Sequence, residues 1–394
     1  MATYVFAWEL GYGLGHLVNL QPLVAGLHAR GHRVELVLRD LSKVQALFVG
    51  QSSGAWQAPF KQQRTKHLGP TLSFAHILYE NGFCDAGELQ TLGAAWRNIF
   101  QAVDPDVIVF DHSPTALLAA RGMRAKRATL GTGFFLPLDA EPMPCLQPWL
   151  KSDPAQLLAD ERRVLSTANE ALHAWGEPPL THLAALYHPS DEHLLVTFAE
   201  LDHYGARPGA TYWGAWSGGF GRRPQWPKVA GKKIYAYLKP FPQLPALLDA
   251  LRRSGQPTIV YASEIPAELR RQFACESLVF EMEPLDMAAV GRDCDLAILN
   301  ANHGTVVSLL RAGVPSLQIP IYVEQSMLAL ALVRMGVSLA APPDRAAEIE
   351  QQFHRLLADE SCAAAAARFA QRYAAFDSER QIAGILDRLE ALAG

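Results

Sequence analysis

The chain lacks four things: a long apolar run, an excess of positive charge, a paired-cysteine motif and a low-complexity tract. No apolar stretch approaches the roughly 20 residues that span a bilayer, so a transmembrane segment is not expected. Lys and Arg number 35 against 39 Asp and Glu, a formal charge of −4 with no basic stripe. A phosphate-neutralising surface is therefore absent, and nucleic acid is excluded as an expected partner. The five cysteines, Cys84, Cys145, Cys275, Cys294 and Cys362, are odd in number, widely spaced and without a CxxC. They read as isolated reduced thiols of a cytoplasmic protein, not as a disulfide frame or zinc site. At the start, MATYVFAWEL has no basic residue before its apolar run, and Glu9 interrupts that run. A buried first strand is expected there, not a secretion signal.

What remains is ordinary globular material: 394 residues, 49% hydrophobic and 19% charged. That length suits two domains of roughly 150–200 residues. Short apolar runs alternate with helical patterns throughout, the signature of parallel sheets with crossover helices. Strands are expected at 4–8, 33–38, 107–111, 127–130 and 194–197, then at 233–238, 258–261, 278–282, 296–299 and 316–319. Glycine, proline and basic residues punctuate WSGGFGRRPQWPKVAGKK. The expected division is thus an N-terminal domain 1–215, a linker 216–232, a C-terminal domain 233–375 and a tail 376–394. The tail carries Ile382, Ile385, Leu386, Leu389 and Leu392 at helical spacing and is expected as an amphipathic helix packing back toward the first domain.

The stretch ELGYGLGHLVNL carries Gly11, Gly13 and Gly15 and then His16. Apolar residues at Leu17, Leu20, Leu23, Val24 and Leu27 place a helix directly after it, so the loop lies at the carboxyl end of the first strand, where open α/β sheets bind ligands. A dinucleotide site needs GxGxxG, and His16 occupies the place of its third glycine, although Asp40 stands near where a ribose-binding carboxylate would. The alternative is acid–base chemistry. A helix N-terminus disfavours the imidazolium and keeps a ring there ready to accept a proton. A second strand, VIVFD, ends in Asp111 on the same sheet edge, which can orient His16 or simply cap the following helix. His112 beside it is expected to point elsewhere.

In the second half, ILNANHGTVVSLLRAGVPSLQIPIYVEQ ends a strand at Asn300 and opens a helix. Helix N-termini offer unpaired N–H groups to an anion, so Gly304 and Thr305 can hold a diphosphate without a metal. Together with GLGHLVNLQPLVAGLHARGHRVELVL, VIVFD and YWGAW, this stretch resembles the nucleotide-sugar glycosyltransferases of the GT-B fold, in the UDP-glycosyltransferase-like family that modifies natural products such as macrolides.

The resemblance implies two Rossmann-like doubly wound α/β domains facing each other across a cleft, and an inverting transfer from a UDP- or dTDP-sugar to a hydroxyl of a small, apolar acceptor. It makes His16 the base and Asp111 its support. Gly15, Lys239, Met282, Asn300, Asn302, His303, Gly304, Thr305, Ser308, Glu324 and Gln325 become the expected donor-binding residues, and Phe134 and Phe135 the acceptor-binding ones. The nucleotide sugar is a co-substrate, so neither cofactor nor metal is expected.

The sequence departs from the family pattern at several places. Asn300 stands where the family has histidine, with His303 three residues on. Ser308 replaces a ribose-binding carboxylate, Leu328 replaces an asparagine, and FEMEPLDM, which contains Met282, lacks the base-stacking tryptophan. Glu324 and Gln325 keep the chemistry of the sugar-reading pair. Lys239 either neutralises diphosphate charge or is an exposed strand-end lysine. The DPD at 104–106 and the DCD at 293–295 match a metal-binding pattern by letter, but each directly precedes an apolar strand, where aspartates close turns. Two further functions stay open, a non-catalytic nucleotide- or sugar-binding protein and an NAD-dependent oxidoreductase. Oligomeric state is also open.

Overall fold

Runs such as TYVFAW and VIVFD have no polar alternation, so a strand made from them must be covered on both faces. The computed structural model, which describes residues 1–63, 65, 68–216 and 221–394, places them in two parallel six-stranded sheets among those residues. The first sheet contains β1 (Thr3–Trp8), β2 (Arg33–Leu38), β3 (Gly54–Gln57), β4 (Val107–Asp111), β5 (Lys126–Gly131) and β6 (Glu192–Leu195). The second contains β7 (Ile234–Tyr237), β8 (Thr258–Tyr261), β9 (Leu278–Glu281), β10 (Leu296–Leu299), β11 (Ser316–Gln318) and β12 (Ser338–Ala340). Strand orders are β3-β2-β1-β4-β5-β6 and β12-β11-β10-β7-β8-β9. Read in the other direction, the second order is the same third-second-first-fourth-fifth-sixth arrangement as the first, the doubly wound order of dinucleotide-binding folds.

Contacts divide the chain into Met1–Gly214 with Ser378–Gly394, and Ala215–Asp377. Of the segment expected as a linker, Ser217 to Phe220 lie outside the described residues. Beyond them, Arg222 N–H donates to the Pro284 carbonyl (3.0 Å) and its guanidinium pairs with Glu281 (2.9 Å), so this part lies against the second unit. The final helix, Ser378–Ala393, buries Ile385, Leu386 and Leu389 on the first unit. Its Leu389 carbonyl accepts the Tyr4 hydroxyl at 3.3 Å, and Leu386 packs where a Cβ on Gly26 would stand. Among the described residues no helix is long and apolar enough to cross a membrane.

Two strands went unread in the sequence, β3 and β12. Both are sheet edges of three or four residues, and β3 (GAWQ) is largely exposed, so neither carries the apolar run of an interior strand. Strand β6 begins two residues earlier than expected, because Glu192 pairs with Ala128 and Leu195 with Gly131. In the first sheet, β1, β2 and β4 are almost wholly buried. The helix Leu14–Ala29 covers them with Leu17, Leu20, Leu23, Val24 and Leu27, each side chain contributing about 1.5–3 kcal/mol by burial. The second sheet has its own core, from Ile234, Ala236 and Val260 to Leu317 and Phe353.

Candidate active site

Strand order reverses between β1 and β4, and open parallel sheets bind ligands at the carboxyl ends of such a switch point. Trp8 and Asp111 are paired in register there, as the last residues of their strands. After Trp8 the chain turns through Gly11 (φ 87°) and Gly13 (φ 91°), left-handed values that glycine adopts without strain, and enters the helix Leu14–Ala29 with His16 in its first turn.

His16 Nδ1 lies 2.8 Å from Asp111 Oδ2, with both residues buried. A carboxylate accepts, so Nδ1 donates, and the lone pair of a neutral ring is then on Nε2. Nε2 faces Gly11: a Cβ built there would stand 2.5 Å from it, so only glycine fits beside this nitrogen. Trp8 stacks on the His16 ring at 5.0 Å and Phe135 packs against it at 5.1 Å. The residue as a whole is 8% exposed. A base with its orienting carboxylate, held in a mostly apolar pocket, can take a proton from a hydroxyl.

Phe134 and Phe135 extend this wall. Phe135 stacks on His112 at 4.3 Å, and Phe134 meets Phe74 at 5.8 Å and His203 at 5.5 Å. The sequence expectation that His112 points elsewhere is therefore wrong. Its left-handed backbone (φ 45°) accompanies a ring in the same cluster as His16. The loop carrying the two phenylalanines is tied down by Arg207, which bonds both Asp202 oxygens and the Gly133 carbonyl (3.0 Å). A Cβ on Gly133 would meet Asp202 Oδ1 at 2.1 Å. Asp202, Arg207 and Trp8 carry no local sequence motif, and only the fold brings them here.

In the second unit Asn300 follows the last residue of β10 and is fully buried. Its Oδ1 accepts the Lys239 N–H at 2.6 Å and its Nδ2 donates to the Ile319 carbonyl at 2.7 Å. The amide thus stitches together the chain leaving three neighbouring strands, with one bond at Oδ1 and one at Nδ2. Gln325 is likewise engaged. Its Oε1 accepts the Ile321 N–H at 2.8 Å and its Nε2 donates to Asn302 Oδ1 at 3.1 Å. The Ser308 hydroxyl donates to the Gly304 carbonyl of its own helix at 2.8 Å. Lys239 Nζ pairs with Glu264 Oε1 at 3.2 Å.

Other expected donor residues stay near the start of the helix His303–Arg311. Asn302 is its N-cap, and the Asn302 Nδ2 atom is buried without a hydrogen-bond partner. Gly304 is exposed, with nothing within 4 Å of a built Cβ. Ala301 holds a left-handed φ of 57°, which turns the chain from β10 into this helix. Burial pushes the His303 imidazole down to about 4, so it is neutral near pH 7. Glu324 sits in the first turn of the helix Val323–Arg334, while Leu328 is buried in the core. Met282 is 42% exposed and its sulfur accepts from Arg270 at 2.8 Å.

The DPD and DCD carboxylates lie at the amino ends of β4 and β10, the far edge of each sheet from these sites. Asp106 Oδ2 accepts the Thr3 N–H (2.8 Å), Asp295 Oδ2 the Lys233 N–H (2.7 Å) and Asp293 Oδ2 the Trp226 indole (3.3 Å).

No protein-family model matches the chain, and no curated protein matches its sequence. Solved structures do match over nearly the whole length. Glycosyltransferase VinC in complex with dTDP has a TM-score of 0.69 at 16% identity, covering 99% of each chain. The glycosyltransferase SnogD from Streptomyces nogalater has a TM-score of 0.63 at 20% identity, covering 100% of this chain and 99% of that one. The spinosyn rhamnosyltransferase SpnG, complexed with spinosyn aglycone, has a TM-score of 0.66 at 17% identity, covering 99% and 100%. The chain has the GT-B fold that these enzymes share.

Proposed function

We propose that this chain is a metal-independent, inverting glycosyltransferase that moves a sugar from a UDP- or dTDP-linked donor to a hydroxyl of a small, largely apolar acceptor. One observation carries the reading: a buried histidine whose Nδ1 is held at 2.8 Å by Asp111 and whose Nε2 faces a glycine. In the proposed step His16 Nε2 takes the acceptor proton, the acceptor oxygen bonds to the anomeric carbon, and the bond from that carbon to the diphosphate breaks. Attack opposite the leaving group inverts the centre. Asp111 stabilises the imidazolium formed, and Phe134 and Phe135 supply the apolar wall for the acceptor.

The first-turn N–H groups of the helix His303–Arg311, with Asn302 Nδ2, receive the departing diphosphate charge. Asp106 and Asp295 are occupied with strand-start bonds, which supports a reaction that uses no metal. The nucleotide sugar is a co-substrate and no further cofactor is required. The bound dTDP of VinC and the aglycone of SpnG support a nucleotide donor and a small-molecule acceptor here. Five free thiols fit a reducing, cytoplasmic setting.

The test is turnover of UDP- and dTDP-sugars against hydroxylated apolar acceptors, wild type beside His16→Ala. The variant is expected to lose about 10²–10⁴-fold in kcat; a wild-type rate sinks the role of His16. A second reading, a nucleotide-binding protein without transferase activity, is favoured by the engagement of Asn300 and Gln325 within the protein. It predicts UDP or dTDP binding with neither transfer nor donor hydrolysis.

A further inference from the structure

Next to the His16–Asp111 pair lies a carboxyl that the proposed reaction does not use. Glu9 directly follows β1 and has no exposed surface. Its Oε2 accepts the backbone N–H of Thr115 at 2.9 Å and of Ala116 at 3.3 Å, in the first turn of the helix Pro114–Ala119, while Oε1 is buried without a hydrogen-bond partner. That helix begins three residues after Asp111. The turn between them is tied to the same stretch of chain by backbone-directed bonds: Ser113 Oγ donates to the Ala7 carbonyl (2.8 Å) and Leu10 N–H to the His112 carbonyl (3.0 Å). His112 holds a left-handed φ of 45° in the middle of it, a conformation that persists in a non-glycine residue only when its surroundings enforce it.

The geometry points to Glu9 as a positioning residue for the His16–Asp111 pair: as a carboxylate it clamps the turn that carries Asp111, and on protonation the clamp loosens. An ionised acceptor makes N–H bonds roughly twice as strong as a neutral one. Burial pushes the Glu9 carboxyl up to about 7, against the pull of the Thr115 and Ala116 donors and of Arg39. The groups around it are Arg39, whose guanidinium bonds the Glu9 carbonyl at 2.9 Å, Tyr187, and, across the β1–β4 pairing, Asp111 with His16 and His112. Because the folded value lies above the ordinary 4.5, the proton stabilises the fold. That stability is full below pH 4.5 and is lost as pH rises through about 7. Glu9→Gln mimics the protonated acid, so above neutrality it removes a buried charge and weakens the clamp at once.

This inference rests on the glycosyltransferase reading for its rate measurement and is independent of it in two others. Wild type, Glu9→Gln and Glu9→Asp are compared in kcat and KM near pH 6 and pH 8, in urea midpoint, and in the low-field proton resonance of His16 Nδ1–H. Near pH 8, Glu9→Gln is expected to lose about tenfold in kcat with KM within about twofold, to lose little near pH 6, and to unfold at no lower urea than wild type. Its His16 resonance is expected to broaden near pH 8. Glu9→Asp, which keeps the charge but withdraws it from the helix, is expected to be slow at both pH values. Wild-type kcat for either variant near pH 8, an equal loss for Glu9→Gln at both pH values, or an unchanged resonance overturns the role of Glu9. If wild type transfers no sugar, the glycosyltransferase reading fails and the resonance still decides about Glu9.

Discussion

The two sheets have one strand order, so their parts correspond: β7 to β1, β10 to β4, and Asn300 to the neighbourhood of Asp111. At this shared switch point the two units treat a buried polar side chain in opposite ways. In the first, Asp111 engages a side chain, the His16 imidazole, through Nδ1 at 2.8 Å. In the second, Asn300 engages only backbone, the Lys239 N–H and the Ile319 carbonyl. The same topological position therefore joins two side chains in one unit and strands in the other.

The largest effect that can break this contrast is expected at Asp111. Asp111→Asn preserves size but no longer fixes the His16 tautomer, and kcat is expected to fall by about 10²–10³-fold in a transfer assay, with a urea midpoint near that of wild type. Equal losses of rate and stability would make Asp111 a scaffold like Asn300. Next comes Asn300→Ala, which leaves a buried N–H and a buried carbonyl without partners. A stability loss of about 2–4 kcal/mol is expected, read from urea unfolding with unchanged slope. A drop in nucleotide affinity larger than this would return Asn300 to the donor site.

The smallest expected effect is at His303. Its pKa is depressed to about 4 by burial, so the unfolded chain binds the proton more readily. The stability it contributes is full above about pH 6.5 and is lost as pH falls through about 4. His303→Gln is expected to flatten the acid limb of the stability curve between those values while leaving the neutral plateau within about 1 kcal/mol. An unchanged acid limb would mean that His303 is not neutral in the folded chain.

Ten of the strands were legible because interior parallel strands must be apolar on both faces, and β3 and β12 were not because an edge strand needs no such run. Likewise His16 and Asp111 could be matched in sequence, since each ends or follows an apolar strand at a predictable sheet edge. Glu9 was visible as the one charge breaking MATYVFAWEL, yet nothing local tied it to Thr115, 106 residues away.

The sequence by itself determined the doubly wound class, the two-unit length and the glycine loop with its histidine, because periodicity and backbone requirements act over a few residues. Only the tertiary structure decided which polar groups are brought together. The Asn300, Gln325 and Ser308 side chains are engaged within the protein, while His16 Nε2 faces a glycine. A hydrogen-bonding group is committed by whatever donor or acceptor lies within about 3 Å of it, and those partners are set by the crossing of distant strands.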